Sequence, residues 1–321
     1  MTTRTRRLAA LSVLAAALLI TSCSEPNSGN TVTADNGQSF DLTAQQSGRV
    51  STEKVDAIAA LVPANIRERG TIRISGSVDS TPPLDFYATD NTTPIGSEVD
   101  FAYLIGDVLG LKVERLNYDW AQNFVKIDSG ENDLFVSNVT VTEERKEKYD
   151  FATYRLDNLA LEVPINSTWQ YKDRKDLAGK RISVDSGTNQ EQLLVAWNAQ
   201  NIADGLKPAD IAYFQHASDY YLALSSGRLD GYLGPNPTAL YHTASAKETK
   251  ILATYSGAGD KLQGEIAALT KKDNGLIRAV QQAINHTIEN GTYRKWLDRW
   301  GLGSEAVKTS EINPPGLSKT S

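Results

Sequence analysis

The sequence predicts an α/β protein of two lobes. Three observations carry that expectation: strand and helix patterns alternate from Gly70 onward, a second run of the same grammar begins at Lys180, and 40% of the 321 residues are hydrophobic against 22% charged. A chain of that composition can bury one or two ordinary cores and is neither disordered nor fibrous. Alternating βαβ patterning places the strands in mainly parallel sheets with helices on their faces.

The chain starts MTTRTRRLAALSVLAAALLITSC: three arginines, an apolar run over residues 8–20, then Leu19-Ile20-Thr21-Ser22-Cys23. Thirteen residues of helix span about 20 Å, too short for the hydrocarbon core of a bilayer, so residues 1–22 read as a secretory signal. Leu-Ile-Thr-Ser-Cys resembles a bacterial lipobox, in which the cysteine thiol is acylated and becomes the new N-terminus. Cys23 is the only cysteine, which excludes a disulfide or a cysteine metal site within one chain. Removing the three leader arginines takes the net charge from −6 to −9, which argues against nucleic acid and against adhesion to an anionic surface.

Residues 23–50 are almost wholly polar without apolar periodicity and are expected to be a flexible tether, with a reach of roughly 25 to 30 Å. Residues 51–67 form a helical lead-in interrupted at Pro63. From Gly70 the pattern gives a strand at 71–75, a break at Pro82-Pro83, a helix at 99–109, a strand at 111–114, a helix at 120–129 stopped by Gly130, a strand at 133–141, and a helix starting at Glu143. The second run gives a strand at 181–184, a helix at 189–200, a strand at 211–214, a helix at 217–226 and a strand at 231–233. A strand at 265–269 and helices at 276–290 and 293–300 close the chain. Lobe 1 is therefore residues 68–160 with a return over 263–305, lobe 2 is 161–262, and 306–321 is a C-terminal tail.

Three histidines, His216, His242 and His286, lie scattered without metal-ligand spacing, and no nucleophile-elbow or phosphate-loop motif occurs. The stretch Asn138-Val139-Thr140-Val141-Thr142-Glu143-Glu144-Arg145 is more informative. A cation in the first turn of a helix opposes the helix dipole, which suits a site where an anion supplies the compensating interaction. The alternative is an internal pairing of Arg145 with Glu143 or Glu144 on a solvated helix. Asp100, at the start of an apolar helix, reads as a capping and packing residue, and Phe151 and Tyr154 read as packing.

Pro94 to Asp100, Ser129-Gly130-Glu131-Asn132-Asp133, Asn138 to Arg145, Tyr149 to Tyr154, Asp176 to Lys180, Ser186-Gly187-Thr188, Ser226 to Asp230, and Asn290-Gly291-Thr292-Tyr293 through Arg299-Trp300 follow one another in a set order. In that order and spacing, over about residues 68 to 303, the chain resembles the amino-acid-type (family 3) extracellular solute-binding proteins of ABC importers. The resemblance implies a type II periplasmic-binding-protein-like fold, in which two lobes, each a mixed and mainly parallel sheet flanked by helices, close on a ligand. It also implies that Arg145 binds the ligand's carboxylate, Thr140 makes a polar contact and Trp120 is an aromatic wall. A planar guanidinium matches a carboxylate bidentately, which agrees. Thr188, with Glu191 three residues on, has a capping-box pattern whose backbone N–H groups can meet the same carboxylate.

After Leu233, where family members place an aspartate that holds the ligand's ammonium, this chain has Gly234-Pro235-Asn236-Pro237. Asp79, Asp185 and Asn236 are the polar residues that can substitute, although Asp185 fits a turn equally well. The expected function is capture of an amino acid or derivative and delivery to an ABC permease. The protein would act outside the cytoplasm, held to the membrane by lipid on Cys23, with no cofactor. Two other readings remain: a ligand sensor for a membrane partner, and a cyclohexadienyl-dehydratase-like enzyme, for which Glu191 is the acid to examine.

Overall fold

The computed structural model describes residues 30–33, 37–78, 82–214 and 216–319. The leader, Cys23 and Asp79 lie outside the described residues. Strands β1 (Thr31–Thr33) and β2 (Ser39–Asp41) form a short antiparallel pair. The tether expected over 23–50 is corrected here: from Gln38 onward the chain is fastened to the folded lobes, chiefly lobe 1, with Tyr241 of lobe 2 also in contact. Phe40 is buried between Tyr241 and Trp300, at ring distances of 5.2 and 6.2 Å. Gln38 Nε2 donates to the Arg299 carbonyl at 3.0 Å, and Arg49 Nε donates to Asp100 Oδ1 at 2.7 Å. One aromatic ring and a few charged hydrogen bonds anchor this segment, and none of them produces apolar periodicity.

Helices α1 (Asp56–Ala59) and α2 (Ala64–Arg69) are separated by Pro63, which caps α2 where its missing N–H costs nothing. Then follow β3 (Thr71–Gly76), a small hairpin of β4 (Phe86–Tyr87) and β5 (Pro94–Ile95), α3 (Ser97–Leu109), β6 (Lys112–Asn117), α4 (Trp120–Ser129) and β7 (Leu134–Thr140). Asp100 is structural, as expected, but by other means than capping. It is buried in the first turn of α3 and accepts from Arg49, from Arg299 Nε at 2.9 Å and from Trp300 Nε1 at 2.9 Å.

The helix expected from Glu143 is a single 3-10 turn, Arg145–Glu147, after which β8 (Tyr149–Pro164) begins. Thr142 Oγ1 accepts the Arg145 N–H at 3.1 Å, as a cap would, but the apolar alternation from Tyr149 recruits the chain into the sheet. Lobe 2 supplies β9 (Arg181–Ser183), α5 (Asn189–Ala203), β10 (Asp210–Ala212), α6 (Ala217–Ser225), β11 (Gly231–Pro235), α7 (Asn236–Ala246) and β12 (Thr249–Ser256). The chain returns through β13 (Gly264–Lys271), α8 (Ile277–Glu289) and α9 (Thr292–Arg299).

The main sheet runs β10-β9-β11-β8-β13-β7-β3-β6, with β12 also on β8. Strand β8 belongs to both lobes. Its first part pairs with β13, from Tyr149 opposite Lys271 to Asp157 opposite Gly264, and its second part pairs with β12, from Asn158 opposite Ser256 to Thr249 opposite Pro164. The lobes therefore meet at Asp157 and Asn158, three residues before the boundary expected at 160. Lobe 1 packs Ile72, Ile74, Phe101, Leu104 and Trp296, with Phe101 stacked 4.3 Å from Trp296; lobe 2 packs Leu159, Leu161, Ile182, Leu194 and Trp197. Full burial of each such side chain contributes about 1.5 to 3 kcal/mol.

The C-terminal tail is part of this architecture. Leu317 bonds to both sides of the Val141–Glu143 backbone, donating to the Val141 carbonyl at 3.1 Å and accepting from the Glu143 N–H at 2.9 Å. Its side chain packs with the lobe 2 core, and Gln192 Nε2 of lobe 2 donates to the Ser318 carbonyl at 2.8 Å. The tail thus ties both lobes. Leu317→Ala is expected to cost about 2 kcal/mol, read by urea unfolding; a loss below about 0.5 kcal/mol would mean that the tail is not seated this way in solution.

Candidate functional site

Strand β7 ends at Thr140, and the turn that follows sends the Arg145 side chain back across the strand end. Its Nη1 donates to the Thr140 carbonyl at 3.0 Å, and its Nη2 reaches across to lobe 2, donating to the Gly187 carbonyl at 3.0 Å. The guanidinium carbon lies 5.5 Å from the Trp120 ring and 5.4 Å from the Phe124 ring, both carried by α4. Trp120 Nε1 donates to the same Gly187 carbonyl at 3.3 Å. Desolvation pulls the Arg145 pKa down to about 10, against the pull of Asp157, so it remains a cation at neutral pH. The solvated pairing of Arg145 with Glu143 or Glu144 is not what the structure shows: Glu143 pairs with Lys146 instead, at 2.8 Å.

From lobe 2, Gly187 holds a φ of +73°, open to glycine, and presents its carbonyl to Arg145 and Trp120. Thr188 is the N-cap of α5; its Oγ1 accepts the Glu191 N–H at 3.3 Å and donates to the Asp185 carbonyl at 2.6 Å. Glu191 reaches one residue further back than a capping box requires, accepting from the Gly187 N–H at 2.6 Å and from the Tyr213 hydroxyl at 2.5 Å. The first intrahelical bond is Gln192 N–H to the Thr188 carbonyl, so the Asn189 and Gln190 N–H groups at the start of α5 have no intrahelical acceptor.

Arg145, Trp120 and Thr188 are thus brought together, with Thr140 beside them. Thr140 is fully buried, and its hydroxyl donates to Asp157 Oδ2 at 2.8 Å, while its carbonyl serves Arg145. Asp185 is exposed and accepts from the Tyr232 hydroxyl at 3.2 Å. Asn236 opens α7 and lines an opening beside Asn158. Neither of these two side chains touches the Arg145 group.

Sequence reasoning missed Asp157, Asn189 and Phe124. Asn189 Nδ2 of lobe 2 donates to Asp157 Oδ2 at 2.9 Å and to the Gly257 carbonyl at 3.0 Å, at the point where the lobes meet. The available signal was weak, because Asp157 is one of several polar residues in β8, beside Asp150, Arg155, Asn158 and Glu162. Beside it, buried Arg155 donates to Glu98 Oε1 at 3.0 Å, to Asn138 Oδ1 at 2.5 Å and to Glu305, while the Tyr154 hydroxyl donates to Glu98. Tyr154 and Phe151 are buried, in keeping with a packing role.

Two openings lie elsewhere. One of about 360 Å³ is lined by Asn158, Asn236, Thr254, Tyr255 and Ser256. Another, of about 440 Å³, lies between Phe40, Tyr241 and Trp300. No acid lines either, and Lys250 is the one charged residue among them, so the Arg145 group is the better candidate for a charged ligand. Among the described residues no helix is long and apolar enough to cross a membrane, and no group of three or more His, Cys, Asp or Glu side chains could hold a metal ion.

The family of bacterial extracellular solute-binding proteins, family 3, matches residues 74–303. The L-cystine-binding protein TcyJ of Escherichia coli (strain K12) is 29% identical over 244 residues, covering 76% of this chain and 86% of that protein. The arginine-binding protein ArgT of Corynebacterium glutamicum is 25% identical over 277 residues, 84% of this chain and 86% of that protein. Among solved structures, an ancestral arginine-binding protein bound to arginine superposes with a TM-score of 0.64 at 26% identity, covering 72% of this chain and 98% of that one.

Proposed function

The chain belongs to the bacterial extracellular solute-binding proteins, family 3, and from that membership we propose that it captures an amino acid or close derivative between its lobes and delivers it to the permease of an ABC importer. One observation carries the site: Arg145 and Trp120 of lobe 1 converge on Gly187 of lobe 2, at the start of α5. Named relatives bind L-cystine and arginine, which share an α-carboxylate and differ in side chain.

A ligand carboxylate replaces the Gly187 carbonyl on Arg145, exchanging a neutral acceptor for a charged one. Charge-assisted hydrogen bonds of this kind are roughly twice as strong as neutral ones. The N–H groups that begin α5 then contribute from the other lobe, and closure adds contacts that the open state lacks. The hydrogen bonds of Glu191 to the Gly187 N–H and the Tyr213 hydroxyl favour a structural place for it, holding the turn before α5.

Calorimetric titration with L-cystine, L-arginine and the remaining proteinogenic amino acids tests this reading. At least one should bind with saturable heat and raise the melting temperature. Binding of none, beside binding of a solute without a carboxylate, would overturn it.

The lipid anchor on Cys23 belongs to the same proposal. It rests on Leu19-Ile20-Thr21-Ser22-Cys23 behind a basic, apolar leader. Cys23→Ala should leave the folded domain intact while abolishing fatty-acid labelling and membrane sedimentation in cell fractions. A variant still labelled and sedimenting like the wild type would exclude the anchor.

A further inference from the structure

The site holds two opposite charges that feel each other without touching: half-buried Arg145 and buried Asp157, with no salt bridge between them. Among the described residues Arg145 forms no salt bridge, and neither does Asp157, although both sit in the gap where the lobes meet. Their neighbour Arg155 is different, since Glu98 and Glu305 already satisfy it. Asp157 is therefore not needed to balance Arg155. A charge withdrawn from water without a partner is costly, and a protein keeps one where something else supplies the partner.

Arg145 and Asp157 stand on two sides of one residue. Thr140 gives its carbonyl to the Arg145 guanidinium at 3.0 Å and its hydroxyl to the Asp157 carboxylate at 2.8 Å. Asn189 adds a second bond at 2.9 Å from lobe 2, and both bonds fall on Oδ2, leaving Oδ1 without one among the described residues. Gly257 closes the carboxylate from the other side, where a Cβ would overlap it. The carboxylate is thus held in place, with one oxygen uncommitted, across a single residue from a held cation.

An α-amino acid has the complementary form: its carboxylate and ammonium are attached to one carbon. We infer that Asp157 receives the ligand's α-ammonium while Arg145 receives its carboxylate, so that the site selects zwitterions over plain carboxylates. This assignment rests on the amino-acid reading above and deepens it. It offers an ammonium partner other than Asp185, which accepts from Tyr232, and Asn236, which lines the opening beside Asn158; Asp79 lies outside the described residues. Asn189 comes from lobe 2, so separation of the lobes uncovers the carboxylate for entry, and closure returns Asn189 to it. Burial raises the Asp157 pKa, as expected of an acid with little solvent.

The experiment uses the whole secreted chain and two pairs of compounds, L-arginine and L-cystine, each beside its deaminated analogue. Wild-type protein should bind at least one of the amino acids at least about 30-fold more tightly than its analogue. Asp157→Asn should lose about 30-fold or more for that amino acid and less than about 3-fold for the analogue, with a cooperative melt showing that the variant folds. Equal affinity of wild-type protein for an amino acid and its analogue would overturn the Asp157 assignment while leaving the Arg145 reading intact, and this comparison needs no variant. Equal loss of both compounds in the variant would also overturn it, assigning Asp157 a purely structural place. Failure of all four compounds to bind wild-type protein would overturn it together with the choice of these ligands.

Discussion

Replacing Arg155 by alanine is expected to cost the folded protein about 3 to 5 kcal/mol, because it strands two buried carboxylates that share the guanidinium. Glu98 and Glu305 lie at opposite ends of the lobe 1 sequence, one in the first turn of α3 and the other in a 3-10 turn beyond α9. Arg155 joins both to β8 two residues before Asp157, where the lobes meet. Burial works against its charge, yet Glu305 and Glu98 more than offset this and leave its pKa above the ordinary arginine value. Burial already raises the Glu305 carboxyl, and removing the guanidinium raises it further. A carboxyl with a folded pKa above its unfolded one loses stability as pH rises through that range. The deficit of the variant should therefore be largest at neutral pH and shrink toward mildly acidic pH, as urea unfolding at both would read. A deficit below about 1 kcal/mol at neutral pH would show that the glutamates find other partners. Replacing Arg155, Glu98 and Glu305 together with methionine and leucines should recover most of the loss, since an apolar cluster needs no counter-ion.

This network also marks where the sequence stops being legible. Helix α4 runs over the residues its periodicity indicates, and β3, β6, α8 and α9 fall within a few residues of expectation, because each is set by local alternation and capping. The two-lobe division was legible for the same reason. The meeting point was not: β8 is continuous through it, and only cross-strand pairing with Gly264 and Ser256, about a hundred residues away, divides it between lobes. Phe40 and Leu317 each lie in polar surroundings and are buried by partners remote in sequence. The same distance hid Asp157. Arg145 and Trp120 could be proposed from motif order, but the conjunction of Thr140, Asp157, Asn189 and Gly257 is a product of the closed gap between lobes. The helix expected at Glu143 failed for a related reason: Thr142 supplies a cap, and pairing of β8 with β13 takes the chain before a second turn can form.

Arg145→Ala is expected to abolish ligand binding and leave the fold cooperative. The two outcomes separate because of what Arg145 touches in the protein. Its hydrogen bonds go to two backbone carbonyls, Thr140 and Gly187; it forms no salt bridge, and the neighbouring Asp157 keeps its own hydrogen bonds from Thr140 and Asn189. Loss of the side chain should therefore shift stability by about 1 kcal/mol or less. The bound state is different. A ligand carboxylate drawn into the gap would face Trp120, Phe124 and the start of α5 with its planar partner gone. Truncating one member of such a buried pair costs about 2 to 5 kcal/mol, which is roughly 30-fold to several thousand-fold in affinity. Arg145→Lys should recover only part of this, since an ammonium keeps the charge but cannot offer two parallel N–H donors while stacking on the rings. Titration calorimetry on the three proteins with the amino acid that wild type binds, beside a melt of each, reads both quantities. Wild-type affinity in the alanine variant, with its melt unchanged, would remove Arg145 from the site and leave it as a cation that holds Gly187 against Trp120.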